Sequence, residues 1–483
     1  MKLWGILYDL RFALRMLRRS PGFTLVVILS LALGIGANTA IFSLAYQVIL
    51  RSLPVRDPAG LVSLRSNDYS FGWTRNDNDK TVFSYPVYLA LRNQNQVLTG
   101  VFGRAGFPAT LIYRGSATRT TTEVVTGNFF EVLGLKPALG RLLIRADDAP
   151  GQNPVVVLSY SYWAGRLGAD PNVLNTQIRV NGQPALIVGV APRGFRSLLS
   201  ENSPGAFAPV SMVRLIWAGW DRDQQPSSYW LNLFGRLKPG IHERQAQAVL
   251  EPLFRRTLRE ELPSFKDLDT ESRSRLLAKP LTLVPAAQGL NLLRNQWQTP
   301  LLALLVMVGL VLLICCANIA NLQIARAAAR QREIAVRLAV GATRAHLFRQ
   351  LMVESFVVAV AGGLLGLVIS QGLAQGLLSL LPSGATGGWL SARLDMRLLW
   401  FSLALSLLTG FLFGLIPALE ASRPEIMPVL NEESSGMSAG TSQSRVRKAL
   451  VVTQICLSLV LLIGAGLFSH SRARVHLCQA ERN

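Results

Sequence analysis

The sequence predicts an α-helical membrane protein of about five transmembrane helices, with an extracytoplasmic α+β domain inserted after the first of them. Three observations predict it. Five long apolar runs lie over residues 23–50, 300–322, 352–381, 398–419 and 449–468, and each reaches the ~20 residues that a helix needs to cross ~30 Å of hydrocarbon. None holds an Asp, Glu, Lys or Arg except Glu354 at the start of the third, and a charge at bilayer depth is costly. The insert, residues 51–298, has no such run and reads as mixed strand and helix patterns.

Charge placement supplies the topology. A formal net charge of +21 in a soluble chain would suggest nucleic acid; here no nucleic-acid partner is expected, because the basic residues sit beside the apolar runs. Lys2, Arg11, Arg15, Arg18 and Arg19 precede the first run, against Asp9. Arg326, Arg330, Arg332, Arg337, Arg344 and Arg349 fill the link between the second and third, against Glu333. Short links rich in Lys and Arg stay cytoplasmic. Both segments therefore lie in the cytoplasm, two crossings separate them, and the insert lies outside.

Taken in order, residues 1–22 form a cytoplasmic amphipathic helix. Leu3, Leu7, Leu10, Leu14 and Leu17 make a narrow stripe flanked by Arg11, Arg15 and Arg18. The pattern suits the headgroup layer; the alternative is a solvated helix on a partner protein. Ser20-Pro21-Gly22 breaks it. Residues 23–50, transmembrane helix 1, exceed a signal-peptide core and lack a clear cleavage site, which predicts an uncleaved anchor. Within residues 51–298, strands are expected at 154–159, 177–180, 185–190, 229–237 and 281–285, with a hairpin turn at Asn181-Gly182. Helices are expected at 83–94, 128–133 and 241–262, a polar loop at 66–80 and an exposed stretch at 263–275. The insert has no cysteine and so no disulfide. His242 reads as an exposed helix residue, and Asp147-Asp148 and Glu260-Glu261 as solvated faces. No phosphate loop, H-E-x-x-H or G-x-S-x-G motif occurs. We therefore expect no enzyme activity, catalytic residue, cofactor or metal site.

Residues 299–322 are transmembrane helix 2, with Cys315-Cys316 as small apolar packing. Asn38, Asn318 and Asn321 read as hydrogen-bond partners between helices. Residues 323–351 form a cytoplasmic coupling region. Arg326, Arg330, Glu333 and Arg337 recur at helical spacing, Glu333 and Arg337 form a favourable i,i+4 pair, and Ile334 and Leu338 add an apolar strip. Gly341-Ala342 ends that helix and Thr343 caps the next. The element reads equally as a lever pushed by a cytosolic partner and as a basic elbow on anionic membrane lipids. Residues 352–381 and 398–420 are transmembrane helices 3 and 4, where Gly362, Gly366, Gly410 and Gly414 have small-xxx-small spacing for close packing. Residues 421–448 are a cytoplasmic linker, 449–469 transmembrane helix 5, and 470–483 a tail. Residues 444–467 repeat the order of residues 9–33, basic stretch then apolar run then glycines, so helix 5 opens a second copy of the unit.

Four stretches carry a family resemblance: DLRFALRML at 9–17 with SPGF at 20–23, LALGIGANTAIFS at 31–43, LPVRDP at 53–58, and REIAVRLAVGA at 332–342. By these the chain resembles the permease subunits of the MacB/FtsX family of ABC transporters, and more closely the acidobacterial-type duplicated permeases. Residues 125–141 and 155–195 resemble the family's periplasmic core domain, and the likeness runs from residue 1 to about 468. The resemblance implies a permease of an efflux or envelope transport system in the bacterial plasma (inner) membrane. It implies a separate cytosolic ABC ATPase subunit as partner, docked on the helix after span two. It implies a homodimer, or a pseudo-dimer with a second permease half, and an extracytoplasmic adaptor protein. By that resemblance Arg332, Glu333, Ile334, Arg337, Leu338, Gly341 and Ala342 contact the ATPase, whose cycle moves the external domain. Duplicated relatives carry two such units, so a chain ending after span five is expected to be truncated in its second half. The rival expectations are a membrane-anchored scaffold or sensor without an ATPase, and a non-functional truncated permease.

Overall fold

A computed structural model describes residues 2–50, 52–66, 73–74, 81–149, 151–199, 203–265, 268–289, 292–329, 343–379, 396–421, 448–449, 451–464 and 466. The chain forms two compact units. One comprises residues 1–47, 297–382 and 390–483, the other residues 48–296 with 383–389. The chain opens with α1 (Lys2–Arg19) and α2 (Pro21–Ala45), separated at Ser20, and a π-helical turn over Tyr46–Leu50 extends α2. Proline suits the first turn of α2, where its missing N–H has no helical acceptor in any case.

The second unit is the α+β insert. Its elements are β1 (Leu61–Ser66), β2 (Trp73–Thr74), α3 (Tyr85–Gln94), β3 (Leu98–Tyr113), β4 (Ser116–Val125), α4 (Phe129–Leu133), β5 (Leu139–Gly140), β6 (Val155–Leu158), α5 (Tyr160–Arg166), β7 (Gln177–Val180), β8 (Gln183–Val190), β9 (Ala206–Pro209), α6 (Val213–Ile216), β10 (Ser228–Tyr229), β11 (Asn232–Leu237), α7 (Glu243–Glu261), α8 (Thr270–Leu277) and β12 (Leu281–Pro285). One mixed sheet runs β12-β1-β11-β3-β4-β9-β6-β8-β5, with β7 bridging β3 and β8; β2 and β10 pair apart from it. Successive strand residues point to opposite faces, and both faces are buried. Val62, Leu64, Val156, Leu158, Ala206, Ala208 and Leu233 join one apolar core, covered by Val87 and Leu91 of α3 and by Leu250, Phe254 and Leu258 of α7. Their neighbours Leu61, Val155, Val157, Phe207 and Phe234 join the other, with Phe129, Phe130 and Leu133 of α4. Two covered faces explain why Val155–Leu158 is an unbroken apolar run rather than an alternating one.

Local signals behave as their chemistry requires. Asn181 and Gly182 take φ of +51° and +85°, the left-handed pair that a tight hairpin between β7 and β8 needs. The expected strand over 229–237 is two pieces, β10 and β11, interrupted at Trp230-Leu231. The longest hairpin, β3–β4, was not expected. Its β3 carries Gly100, Gly103, Gly106 and Pro108, and β4 is rich in threonine, so neither has an apolar alternation. The turn is Arg114-Gly115, also at positive φ (+47° and +79°), without the Asn or Asp that usually marks one.

The first unit continues with α9 (Leu292–Ala329), α10 (Arg344–Ser379) and α11 (Met396–Ala421). Helix α9 starts within residues 51–298, because polar residues ahead of an apolar run are good helix formers too. Among the described residues four helices, within α2, α9, α10 and α11, are long and apolar enough to cross a membrane; of the expected fifth, Val451–Gly464 is described as a shorter apolar helix. Asn38 Nδ2 donates to the Val308 carbonyl of α9 at 2.9 Å, and Gln454 Nε2 donates to Asn318 Oδ1 at 2.6 Å. Asn321 Oδ1 has no hydrogen-bond partner among the described residues. Cys315 and Cys316 are free thiols within α9.

Glycines set the helix spacing. A Cβ at Gly36 would lie 2.9 Å from the Gly366 carbonyl oxygen, and one at Gly366 would lie 3.0 Å from that of Ala32. Backbones of α2 and α10 therefore touch where a side chain would hold them apart. Gly36→Val is expected to lower stability by about 1–3 kcal/mol through overpacking, read as an earlier thermal transition of the detergent-solubilised chain. An unchanged transition would mean that α2 and α10 are not in backbone contact.

Candidate functional site

The residues that the family resemblance assigned to ATPase contact, Arg332, Glu333, Ile334, Arg337, Leu338, Gly341 and Ala342, lie outside the described residues. Both flanks of that stretch are described, and each grips the N-terminal segment. On the near flank Arg326 sits in the last turn of α9. Its Nη2 donates to the Met16 carbonyl at 3.4 Å and to Ser20 Oγ at 2.5 Å. Its Nη1 donates to Glu354 Oε1 of α10 at 3.4 Å, and its guanidinium lies 4.7 Å from the Phe23 ring centre. One side chain thus joins the end of α1, the start of α2 and the body of α10. The Arg326 and Glu354 side chains are only 13% and 8% exposed. Glu354, the lone charge in the apolar runs, is accordingly half of an ion pair, which is how a charge persists near a membrane.

On the far flank, Thr343 Oγ1 accepts from the His346 N–H at 3.3 Å and caps α10. One turn on, Arg349 Nε donates to Asp9 Oδ2 of α1 at 2.7 Å, and the Asp9 side chain is 1% exposed. Asp9, Ala13, Met16 and Leu17 make the buried face of α1, whereas Leu10 and Leu14 stand exposed beside Arg11, Arg15 and Arg18. The expected leucine stripe is therefore divided between a packed face and an open one. The hinge is stapled, since Thr24 Oγ1 donates to the carbonyls of Leu17 and Ser20, at 3.0 Å each.

The insert corrects two expectations. Asp147 and Asp148 are not a solvated face. Asp147 takes two bonds from Arg141, at 2.8 and 3.0 Å, and one from the Ile144 N–H. Asp148 takes the Gly127 N–H at 2.5 Å and the Val210 N–H at 3.1 Å, and burial pushes its carboxyl up to about 6. Unpaired loop amides, invisible in sequence, drew both inward. Glu261 is likewise buried, with no hydrogen-bond partner for either oxygen among the described residues. Burial pushes it up to about 8, and the neighbouring Glu260 carboxylate acts in the same direction. His242 is exposed, as expected, and its N–H donates to Gln245 Oε1 at 3.2 Å where α7 begins. Among the described residues no three His, Cys, Asp or Glu side chains are placed to hold a metal ion.

Residues 24–253 match the MacB-like periplasmic core domain, and residues 305–426 match the FtsX-like permease C-terminal region. The chain is similar to the macrolide export ATP-binding/permease protein MacB of Escherichia coli (strain K12), 26% identical over 67% of this chain and 45% of the relative. It is similar to that of Salmonella typhi, 26% identical over 64% of this chain and 43% of the relative. It thus spans less than half the length of these curated relatives. Among solved structures, the periplasmic region of MacB from Actinobacillus actinomycetemcomitans aligns with 50% of this chain and 93% of its own, at 17% identity and a TM-score of 0.35. The extracellular domain of the transporter YknZ from Gram-positive bacteria covers 41% of this chain and 93% of its own, at 16% identity and a TM-score of 0.31.

Proposed function

Because the chain belongs to the MacB/FtsX family of ABC transporter permeases, we propose that it is the permease and mechanotransmission subunit of an ABC-type efflux or envelope transport system. The observation that carries this reading is the order of the two matched segments, a periplasmic-core match over 24–253 followed by a permease match over 305–426, in one chain. Such a chain carries an extracytoplasmic domain between its first and second spans. ATP hydrolysis is supplied by a cytosolic ABC ATPase separate from these residues, whose sequence lacks a G-x-x-x-x-G-K-[ST] loop. The ATPase docks on Arg332, Glu333, Ile334, Arg337, Leu338, Gly341 and Ala342. Its different affinity for two arrangements of that stretch shifts the external domain between two states. The basic residues of the N-terminal segment and of the 323–351 link support a cytoplasmic position for both, at the bacterial plasma membrane. A second permease unit and an extracytoplasmic adaptor complete the assembly.

The test is co-purification of the full chain from membranes with its ATPase, followed by two substitutions. Glu333→Lys reverses the charge of the i,i+4 pair, and Gly341→Pro removes the freedom of the helix end. Both are expected to leave membrane insertion intact and to cut stimulation of the ATPase by about tenfold, ~1.4 kcal/mol of coupling. Parent-level stimulation in both variants would remove the 332–342 stretch from the docking surface.

A further inference from the structure

The N-terminal helix is held from both flanks of the 332–342 stretch by polar contacts, beside the buried Leu17 of its leucine stripe. Arg326, the last described charge before that region, reaches Met16 and Ser20. Arg349, just after it, reaches the buried Asp9 carboxylate. Arg326 also pairs with Glu354, so the two flanks are tied to each other as well as to α1. A buried charge pair resists separation strongly, since either partner left alone in a dry site is costly. Ser20 continues directly into α2, and the Thr24 hydroxyl closes the hinge between them.

We propose that α1 is a third arm of the cytoplasmic lever, with Arg326 and Arg349 as positioning residues that make α1 and the first span travel with the stretch between the second and third. This rests on the transport reading above and deepens it. Displacement of that stretch would reach the first span through two side-chain clasps, as well as through the second and third spans themselves. The exposed Leu10, Leu14 and arginine face of α1 stays free to slide along the headgroup layer.

The test uses the full chain in lipid nanodiscs, with Cys315, Cys316, Cys456 and Cys478 each replaced by alanine. Spin labels are attached after Leu14→Cys, on the exposed face of α1, and Ala345→Cys, in the first turn of α10. The parent is expected to give one narrow distance distribution. Asp9→Asn with Arg326→Gln is expected to broaden it about twofold, as a helix freed of its contacts opens locally, while Arg349→Lys, which keeps a cation for Asp9, stays near the parent. A single label at Leu14 then reads the coupling. Gly341→Pro is expected to change its mobility in the parent and to leave it unchanged once the clasps are cut. A parent distribution as broad as that of the cut clasps, or an equal response to Gly341→Pro in both backgrounds, overturns the proposal. Failure to capture any ATPase with the full chain would instead sink the transport reading, and would leave these distances as they are.

Discussion

Arg104→Met is expected to destabilise the inserted domain by about 3–5 kcal/mol, a large share of the ~5–15 kcal/mol that holds a typical domain together. Arg104 Nε lies 2.7 Å from Glu123 Oε1, and both side chains are 1% exposed. Arg104 Nη1 also donates to Asn232 Oδ1 at 3.3 Å, so the guanidinium ties β3 to β4 on one side and to β11 on the other. Removing it takes the paired cation from a carboxylate that lies in the sheet, away from water. The urea midpoint of the full chain in detergent checks this, followed by the fluorescence of the packed Trp217, Trp220 and Trp230. Replacing both partners, Arg104→Met with Glu123→Met, should recover most of the loss, because an apolar pair of similar volume needs no counter-charge. A loss below about 1 kcal/mol in the single variant would show that Glu123 reaches solvent.

Raising the pH from 6 to 8 is expected to weaken the same domain by on the order of 2 kcal/mol, and Glu261→Gln is expected to abolish that slope. Burial raises the Glu261 carboxyl from 4.5 to about 8 in the fold. The folded state therefore keeps a proton that the unfolded chain has already released. Stability from this group is complete below about 4.5 and is lost as pH climbs to about 8. Asp148 acts in the same direction but only up to about 6. Lys279, over the Tyr229 ring at 4.8 Å, is lowered by burial from 10.5 to about 8. Its penalty grows as pH falls from 10.5 to 8 and is level below that. The window between 6 and 8 is thus governed by Glu261. Thermal midpoints of the parent and Glu261→Gln at pH 6, 7 and 8 read it, and parallel curves would mean that Glu261 has a counter-ion at neutral pH.

Much of the membrane-helix pattern was legible because a helix in lipid must satisfy its own backbone, which forces long apolar runs into the sequence. The glycines at 362, 366, 410 and 414 were legible for a similar reason, each meeting a neighbouring helix where only a hydrogen fits. The β3–β4 hairpin was not, because pairing to neighbouring strands, rather than its own composition, holds it together. Nor were Arg104 and Glu123, which are separated in sequence and meet only once that hairpin closes. At the candidate site, charges at helical spacing in one segment stood out. The clasps Asp9–Arg349 and Ser20–Arg326 join residues more than 300 positions apart, a juxtaposition that no local period can encode.

The insert begins and ends at one place. Strands β1 and β12 pair antiparallel, with Val62 opposite Pro285, and the Leu53 N–H donates to the Ala287 carbonyl at 2.8 Å. Incoming and outgoing chain therefore leave the domain side by side, like the two halves of a closed zip. Equal tension on both moves the pair as one and puts no load across the rungs between them. Tension on one alone slides it past the other, and because the rungs lie across the strands that shear loads them together. The module can be hoisted by two ropes in step, and a mismatch between them falls on its own seam.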